Sequence, residues 1–143
     1  MKRKHVNVIF PNTKDAGPRP WGQEKILSVI PETLSLKLLH IKAGSKGGLQ
    51  YHRKKNECGY LLKGKLIIRF DIGDGKLQEK ILKPGSSFHF PPGAVHQEEA
   101  LEDCEIIEAS TPHFNDRVRV EDEYGIKDKD GLPTTNEEDI ILK

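Results

Sequence analysis

No stretch of this 143-residue chain keeps a helical apolar period for ten residues or more, and that absence constrains its fold more than any other feature. The middle of the chain carries short apolar runs cut by turn residues instead. Thr33 to Ile41 is Leu-rich and alternates; Gly59 to Leu62 and Leu66 to Ile72 pair around Lys63-Gly64. Ile72-Gly73-Asp74-Gly75 reads as a hairpin turn leading into Leu77 to Leu82. Further strands are expected at Ser87 to Phe90, Val95 to Glu98, Cys104 to Ala109 and Arg117 to Val120. Pro84-Gly85 and Pro91-Pro92-Gly93 punctuate them as turns. Many short strands at such spacing predict an all-β sandwich or barrel.

The length suits one domain with a sizeable core. We expect an N-terminal extension over residues 1–18, a barrel over 19–126 and a tail over 127–143. The tail is charged and holds Gly131 and Pro133, so it is expected to be mobile or draped on the surface. Within it, Ile140-Ile141-Leu142 could dock on the barrel or on a neighbouring subunit. Lys and Arg total 23 against 22 Asp and Glu, which gives no field for a nucleic acid or an acidic membrane. The apolar run Val6 to Phe10 stops at Pro11, so neither a signal peptide nor a membrane span is expected, and the cytoplasm is the default location. Cys58 and Cys104 lack CxxC spacing and read as reduced thiols.

Two segments concentrate metal-type donors. Gly44 to Gly64 carries Gln50, His52 and Glu57; Gly85 to His96 ends on His96, just past Pro91-Pro92-Gly93. An amide oxygen, two imidazoles and a carboxylate form a mixed N/O set. Such a set suits Zn foremost, or Fe, Mn, Ni or Co, rather than a thiolate-selecting site. Gln50 and His52 lie two apart on a strand and so share its inner face. Glu57 returns from the next strand after the basic loop Arg53-Lys54-Lys55, and a tight turn can deliver His96 to the same mouth. A small barrel has an interior able to hold one small ligand.

The order Gly44…Gln50-x-His52…Glu57…Gly64 followed by Gly85…Pro91-x-Gly93-x-x-His96 resembles the two motifs of the cupin superfamily, with Gln50 in place of the first histidine. This resemblance implies a double-stranded β-helix, or jelly-roll, barrel. The Gln-x-His run, with Glu57 five residues after His52, is similar to the C-terminal cupin domain of type II mannose-6-phosphate isomerases. Arg19-Pro20-Trp21-Gly22 looks like that family's leading segment. Asp116-Arg-Val-Arg-Val-Glu-Asp-Glu-Tyr124-Gly125 looks like its closing one. The pattern departs after His52, where Arg53, Lys54 and Lys55 replace the family's histidines and arginine, and at Ile126, where the family has arginine.

An isolated histidine is ordinarily a satisfied one; the two motifs together make His52 and His96 ligands, with Glu57 as carboxylate and Gln50 as ligand or water-orienting group. Arg53, Lys54 and Lys55 read as a solvated loop from which one side chain could hold a phosphate. Trp21 reads as a barrel-end plug. His40, His89 and His113 have no partner spacing, and of the three only His89, two residues before Pro91 on an expected strand, is placed to face the cavity. Cys58 should alternate away from the metal. Glu98 shares strand parity with His96, and Glu98 or Lys55 is the candidate acid/base. The resemblance implies a metal-dependent isomerase acting on a sugar or sugar phosphate, in which the metal polarises the carbonyl and a base moves a proton between neighbouring carbons. A non-haem metal dioxygenase and a non-catalytic sugar-binding or sensor cupin stand as alternatives. A homodimer is expected, because an exposed sheet edge invites pairing.

Overall fold

The computed structural model describes every residue except Met1, Asp130 and Lys143. The elements are thirteen strands and two short 3-10 turns. The strands are β1 Lys14–Arg19, β2 Gly22–Ile30, β3 Leu34–Ile41, β4 Gln50–Tyr51, β5 Glu57–Lys63, β6 Leu66–Asp71, β7 Leu77–Leu82, β8 Ser87–Phe90, β9 His96–Ala100, β10 Cys104–Ser110, β11 His113–Phe114, β12 Val118–Arg119 and β13 Ile141–Leu142. A six-stranded sheet runs in the order β1-β2-β3-β10-β5-β8 and faces a five-stranded sheet ordered β12-β4-β9-β6-β7; β11 and β13 form a separate pair. All pairings are antiparallel. The all-β jelly-roll expected of the chain is the fold observed.

Alternation sorts each strand into an inner and an outer face. Across β3, β10 and β5 the inner face changes character along its length. Ile106 is opposite Leu39 and Leu61, the next inner row brings Glu108 opposite Lys37 and Gly59, and the last brings Ser110 opposite Ser35 and Glu57. The apolar end of this face packs on Leu66, Ile68, Leu82, Phe90 and Ala100 of the facing elements, with Cys104 and Ile106 fully buried. Each such side chain contributes about 1.5–3 kcal/mol relative to exposure. The barrel is therefore a cup: a hydrophobic plug at one end and a polar floor at the other.

The β5–β6 turn shows why the first motif ends in glycine. Gly64 has φ +92, and a Cβ there would lie 2.3 Å from the Asp103 carbonyl oxygen, so no other residue fits. Strands β1 and β2 extend the sheet over residues that carry no clear strand signal, and β1 begins at Lys14, inside the segment expected as an extension. Pro18 is tolerated because β1 is an edge strand with an irregular register between Asp15 and Pro18. Trp21 is half-buried in the β1–β2 turn, where its carbonyl accepts the Lys42 amide at 2.8 Å. Val6 to Phe10 are exposed and irregular. Among the described residues no helix is long and apolar enough to cross a membrane.

Candidate metal centre

His52 leaves the end of β4, Glu57 opens β5 and His96 opens β9. Their donor atoms lie within 4.8 Å of one another, and all three residues are buried. The Nε2 of His52 is 2.8 Å from Glu57 Oε1, and the Nε2 of His96 is 3.7 Å from the same oxygen. The Gly93 amide donates to the His52 carbonyl at 2.8 Å, which fastens the second motif to the first. Gln50 on β4 is the Cα partner of His96 on β9, so their side chains stand on the same face.

The proton arrangement shows that this group fits a cation. The Nδ1–H of His52 donates to the backbone oxygen of Asp116, and the Nδ1–H of His96 donates to that of Ala94 at 2.9 Å. With Nδ1 as donor, a neutral ring presents an Nε2 lone pair to the Glu57 carboxylate. Two lone pairs and an anionic oxygen converging in a buried space repel unless a cation sits between them. Burial pushes the His96 ring down to about 4, against the pull of Glu57, so it is neutral near neutral pH. Burial pushes Glu57 up, but the Lys55 ammonium and the His52 ring together hold it well below the usual carboxylate range. This His/Glu/His group could hold a metal; Gln50 is placed to add an oxygen donor.

Lys55 belongs to this floor and not to a solvated loop. Its Nζ is 3.1 Å from Glu57 Oε2 and 3.0 Å from Glu108 Oε1, all three side chains being nearly enclosed. Burial alone would lower its pKa, yet Glu108 and Glu57 raise it above the ordinary lysine value, so it is a fixed cation. Glu108 is raised as well, by burial and then by the charge of Glu57. Glu98, on β9 two residues beyond His96, has no side-chain partner among the described residues. Burial, then the charges of Glu57 and Glu108, push its carboxyl up to about 8.

The other basic residues of the loop are also committed. Arg53 Nη1 donates to the Thr135 carbonyl at 2.6 Å and Lys54 pairs with Glu137 at 3.4 Å, so both side chains of the loop are drawn towards residues 135–137. His89 is exposed and bonds Asn56 at 2.7 Å; it is Phe88 and Phe90 on β8 that turn inward, against the expectation for His89. The Phe90 ring stacks on His96 at 3.8 Å between centroids. Cys58 is exposed as alternation requires, Cys104 is buried, and both are free. His40 faces Glu105 at 3.2 Å, at the far end from the ligands.

Reading the residues missed Glu108, Lys37 and the role of Asp116. Glu108 and Lys37 share the inward parity of Ile106 and Leu39, which was the available signal. Lys37 is paired with Glu24 at 2.8 Å and lies 4.7 Å from the Phe114 ring centroid. Asp116 lies in the closing segment, and its carboxylate accepts the amides of Arg53, Lys54 and Lys55 at 3.1, 2.7 and 2.9 Å. In the same segment Arg119 chelates the buried Glu121, whose Oε2 accepts the Leu49 amide at 3.3 Å. A Cβ on Gly48 would stand 2.5 Å from Arg119 Nε, which explains the glycine before the first ligand.

Comparison with known proteins agrees with this architecture. The family model for the cupin domain, Cupin_2, matches residues 37–113, more than half of the chain. A curated oxalate decarboxylase from Arthroderma benhamiae is 29% identical over 85 residues, which are 58% of this chain and 20% of that protein. The chain thus spans about a fifth of the length of that relative. Among solved structures, KdgF from Halomonas sp. superposes with a TM-score of 0.58 at 24% identity, covering 69% of this chain and 85% of that one. An RmlC-like cupin from Shewanella frigidimarina gives 0.55 at 20% identity, covering 76% and 90%. The capsular polysaccharide assembling protein CapF from Staphylococcus aureus gives 0.56 at 23%, covering 66% and 28%. At these identities the likeness is one of fold.

Proposed function

The chain belongs to the cupin family, and we propose that it is a metal-dependent cupin that acts on a sugar by aldose–ketose isomerisation. The observation that carries this reading is the convergence of His52 Nε2, His96 Nε2 and Glu57 Oε1, with the unpaired Glu98 on the same strand face as His96. A divalent ion bound there, Zn foremost and Mn, Co, Fe or Ni otherwise, supplies Lewis-acid polarisation of a substrate carbonyl and its neighbouring hydroxyl. Glu98 takes the proton from the carbon beside that carbonyl and returns it to the carbonyl carbon, while the hydroxyl proton of the first carbon passes to the carbonyl oxygen, so the net reaction neither gains nor loses a proton. Lys55, held as a cation by two carboxylates, positions Glu57 and does not serve as the base. Glu57, His52 and His96 hold the metal, and Gln50 completes its shell or orients a water.

Substrate charge follows from the loop. Because Lys54 and Lys55 are paired with carboxylates, and Arg53 is turned onto the Thr135 carbonyl, the site favours a neutral sugar over a sugar phosphate. The test is direct: incubate metal-loaded protein with mannose, with mannose 6-phosphate and with other aldoses, adding Zn, Mn or Co in turn, and follow ketose formation. Ketose from any of them supports the proposal; no turnover with any metal removes the isomerase reading and leaves the fold and metal site standing. The oxalate decarboxylase likeness favours a second reading, metal-dependent chemistry on a small carboxylic acid. Oxygen uptake or carbon dioxide release with added Fe or Mn separates it from isomerisation.

The homodimer is part of this proposal. On the outer face, Leu38, Ile107 and Tyr60 stand side by side across β3, β10 and β5, and Tyr60 is 44% exposed. An apolar row on an open sheet face suits a second copy of the chain, and light scattering on the eluting protein measures it.

A further inference from the structure

Residues 132–142 lie along the barrel as a strap bonded to Arg53 on one side and to Arg117 and Arg119 on the other. On one side the Thr135 amide donates to the Arg117 carbonyl at 2.9 Å and the Arg119 amide donates to Thr134 Oγ1 at 3.0 Å. Arg117 Nε reaches the Pro133 carbonyl at 3.1 Å and Arg119 Nη1 the Leu132 carbonyl at 2.8 Å. On the other side Arg53 Nη1 donates to the Thr135 carbonyl. Beyond it, Asn115 Nδ2 bonds the Asp139 carbonyl at 3.3 Å and β13 pairs with β11. Thr135 itself is buried, at 6% exposure, so the strap is seated and not merely draped.

What lies under the strap is the frame of His52. Arg53 is the residue after that ligand, and Arg117 is the residue after Asp116. Asp116 accepts the His52 Nδ1–H on its backbone oxygen and three consecutive amides of the 53–55 loop on its carboxylate. Thr135 therefore touches both walls of this frame, one through its carbonyl and the other through its amide. Groups that orient a ligating imidazole from outside set how well it binds, and their loss typically weakens metal affinity 10–100-fold.

We infer that the strap is a positioning device for the metal centre: Thr135, clamped between Arg53 and Arg117, holds His52 in its ligating orientation. The inference rests on the metal-binding reading of His52, Glu57 and His96. It makes the strap and the metal reciprocal, since whatever factor strap docking adds to metal affinity, metal adds to strap docking.

The test uses the whole 143-residue chain. Zn affinity is measured by competition with a chromophoric chelator, and ligand geometry by the visible spectrum of the Co-loaded form. Thr135→Pro, which removes the amide donor, and Arg53→Ala are expected to weaken Zn about tenfold and to alter the Co spectrum. Arg53→Lys, which keeps a donor, should recover much of the loss. If Thr135→Pro does not fold, Arg53→Ala carries the comparison, together with hydrogen exchange on the unmodified protein. There the Thr135 amide should exchange about tenfold more slowly with Zn than without it. Variants that bind Zn within twofold of the parent, or a Thr135 amide indifferent to Zn, overturn the inference alone. Parent protein that binds no Zn, Co or Mn overturns the metal reading and the inference with it.

Discussion

Glu57 turns one carboxylate oxygen to His52 Nε2 and accepts the Lys55 ammonium on the other, so a single buried side chain joins the histidine pair to the ion-pair floor of the cup. Replacing it by glutamine removes the anionic donor and the partner of Lys55 together. Glu57→Gln protein is expected to lose at least the 10–100-fold in metal affinity seen for groups merely orienting a ligand. Elemental analysis after purification without chelator checks this; unchanged metal content would show that the ion sits elsewhere.

Lys55→Met leaves Glu57 and Glu108 buried without their shared cation. Breaking a buried pair from one side costs about 3–5 kcal/mol, so the metal-free variant should unfold at much lower urea. Metal loading should recover part of that loss, because a bound cation also neutralises Glu57. Equal urea midpoints for variant and parent would contradict the pairing.

The strands legible in the sequence are β3, β5 to β10 and β12, each a short run bounded by turn residues. β1 was not legible, since Lys-Asp-Ala-Gly-Pro-Arg has the composition of a loop and becomes a strand only by lying at an edge beside β2. β2 escaped because its alternation slips at the irregularity between Ile26 and Ser28. At the site the contrast is the same. His52, Glu57 and His96 come together as their spacing implies, because strand parity and tight turns are local. Lys55 reads locally as a surface lysine, and only Glu108, 53 positions later in the chain, draws it inside.

Glu121, which fastens the strand leading to Gln50, gives a pH test. Burial raises its carboxyl, but Arg119 and the Leu49 amide bring it below the ordinary value of 4.5. A depressed folded-state pKa means the stabilisation is present above that ordinary value and is lost as pH falls from there through the folded pKa. The melting temperature of the parent should therefore drop below about pH 4.5 more steeply than that of Glu121→Gln, which starts lower by about 3–5 kcal/mol at pH 7. Parallel curves would remove Glu121 from the acid limb.

Thr135→Val tests the strap's packing without touching its backbone bonds. The Thr135 hydroxyl is buried without a partner among the described residues. Exchanging it for a methyl of the same shape should stabilise the protein by about 1 kcal/mol, which is roughly 2–4 °C in Tm for a domain of this size. A fall in Tm would show that the hydroxyl is satisfied.

His52 donates its Nδ1–H to a residue 64 positions further along the chain, and Arg53 donates to one 82 positions further. During synthesis the first ligand loop therefore leaves the ribosome long before anything exists to aim it. If the centre holds an ion as proposed, its capture follows closure of the whole cup, because a nascent chain halted near Gly64 has His52 and Glu57 without His96.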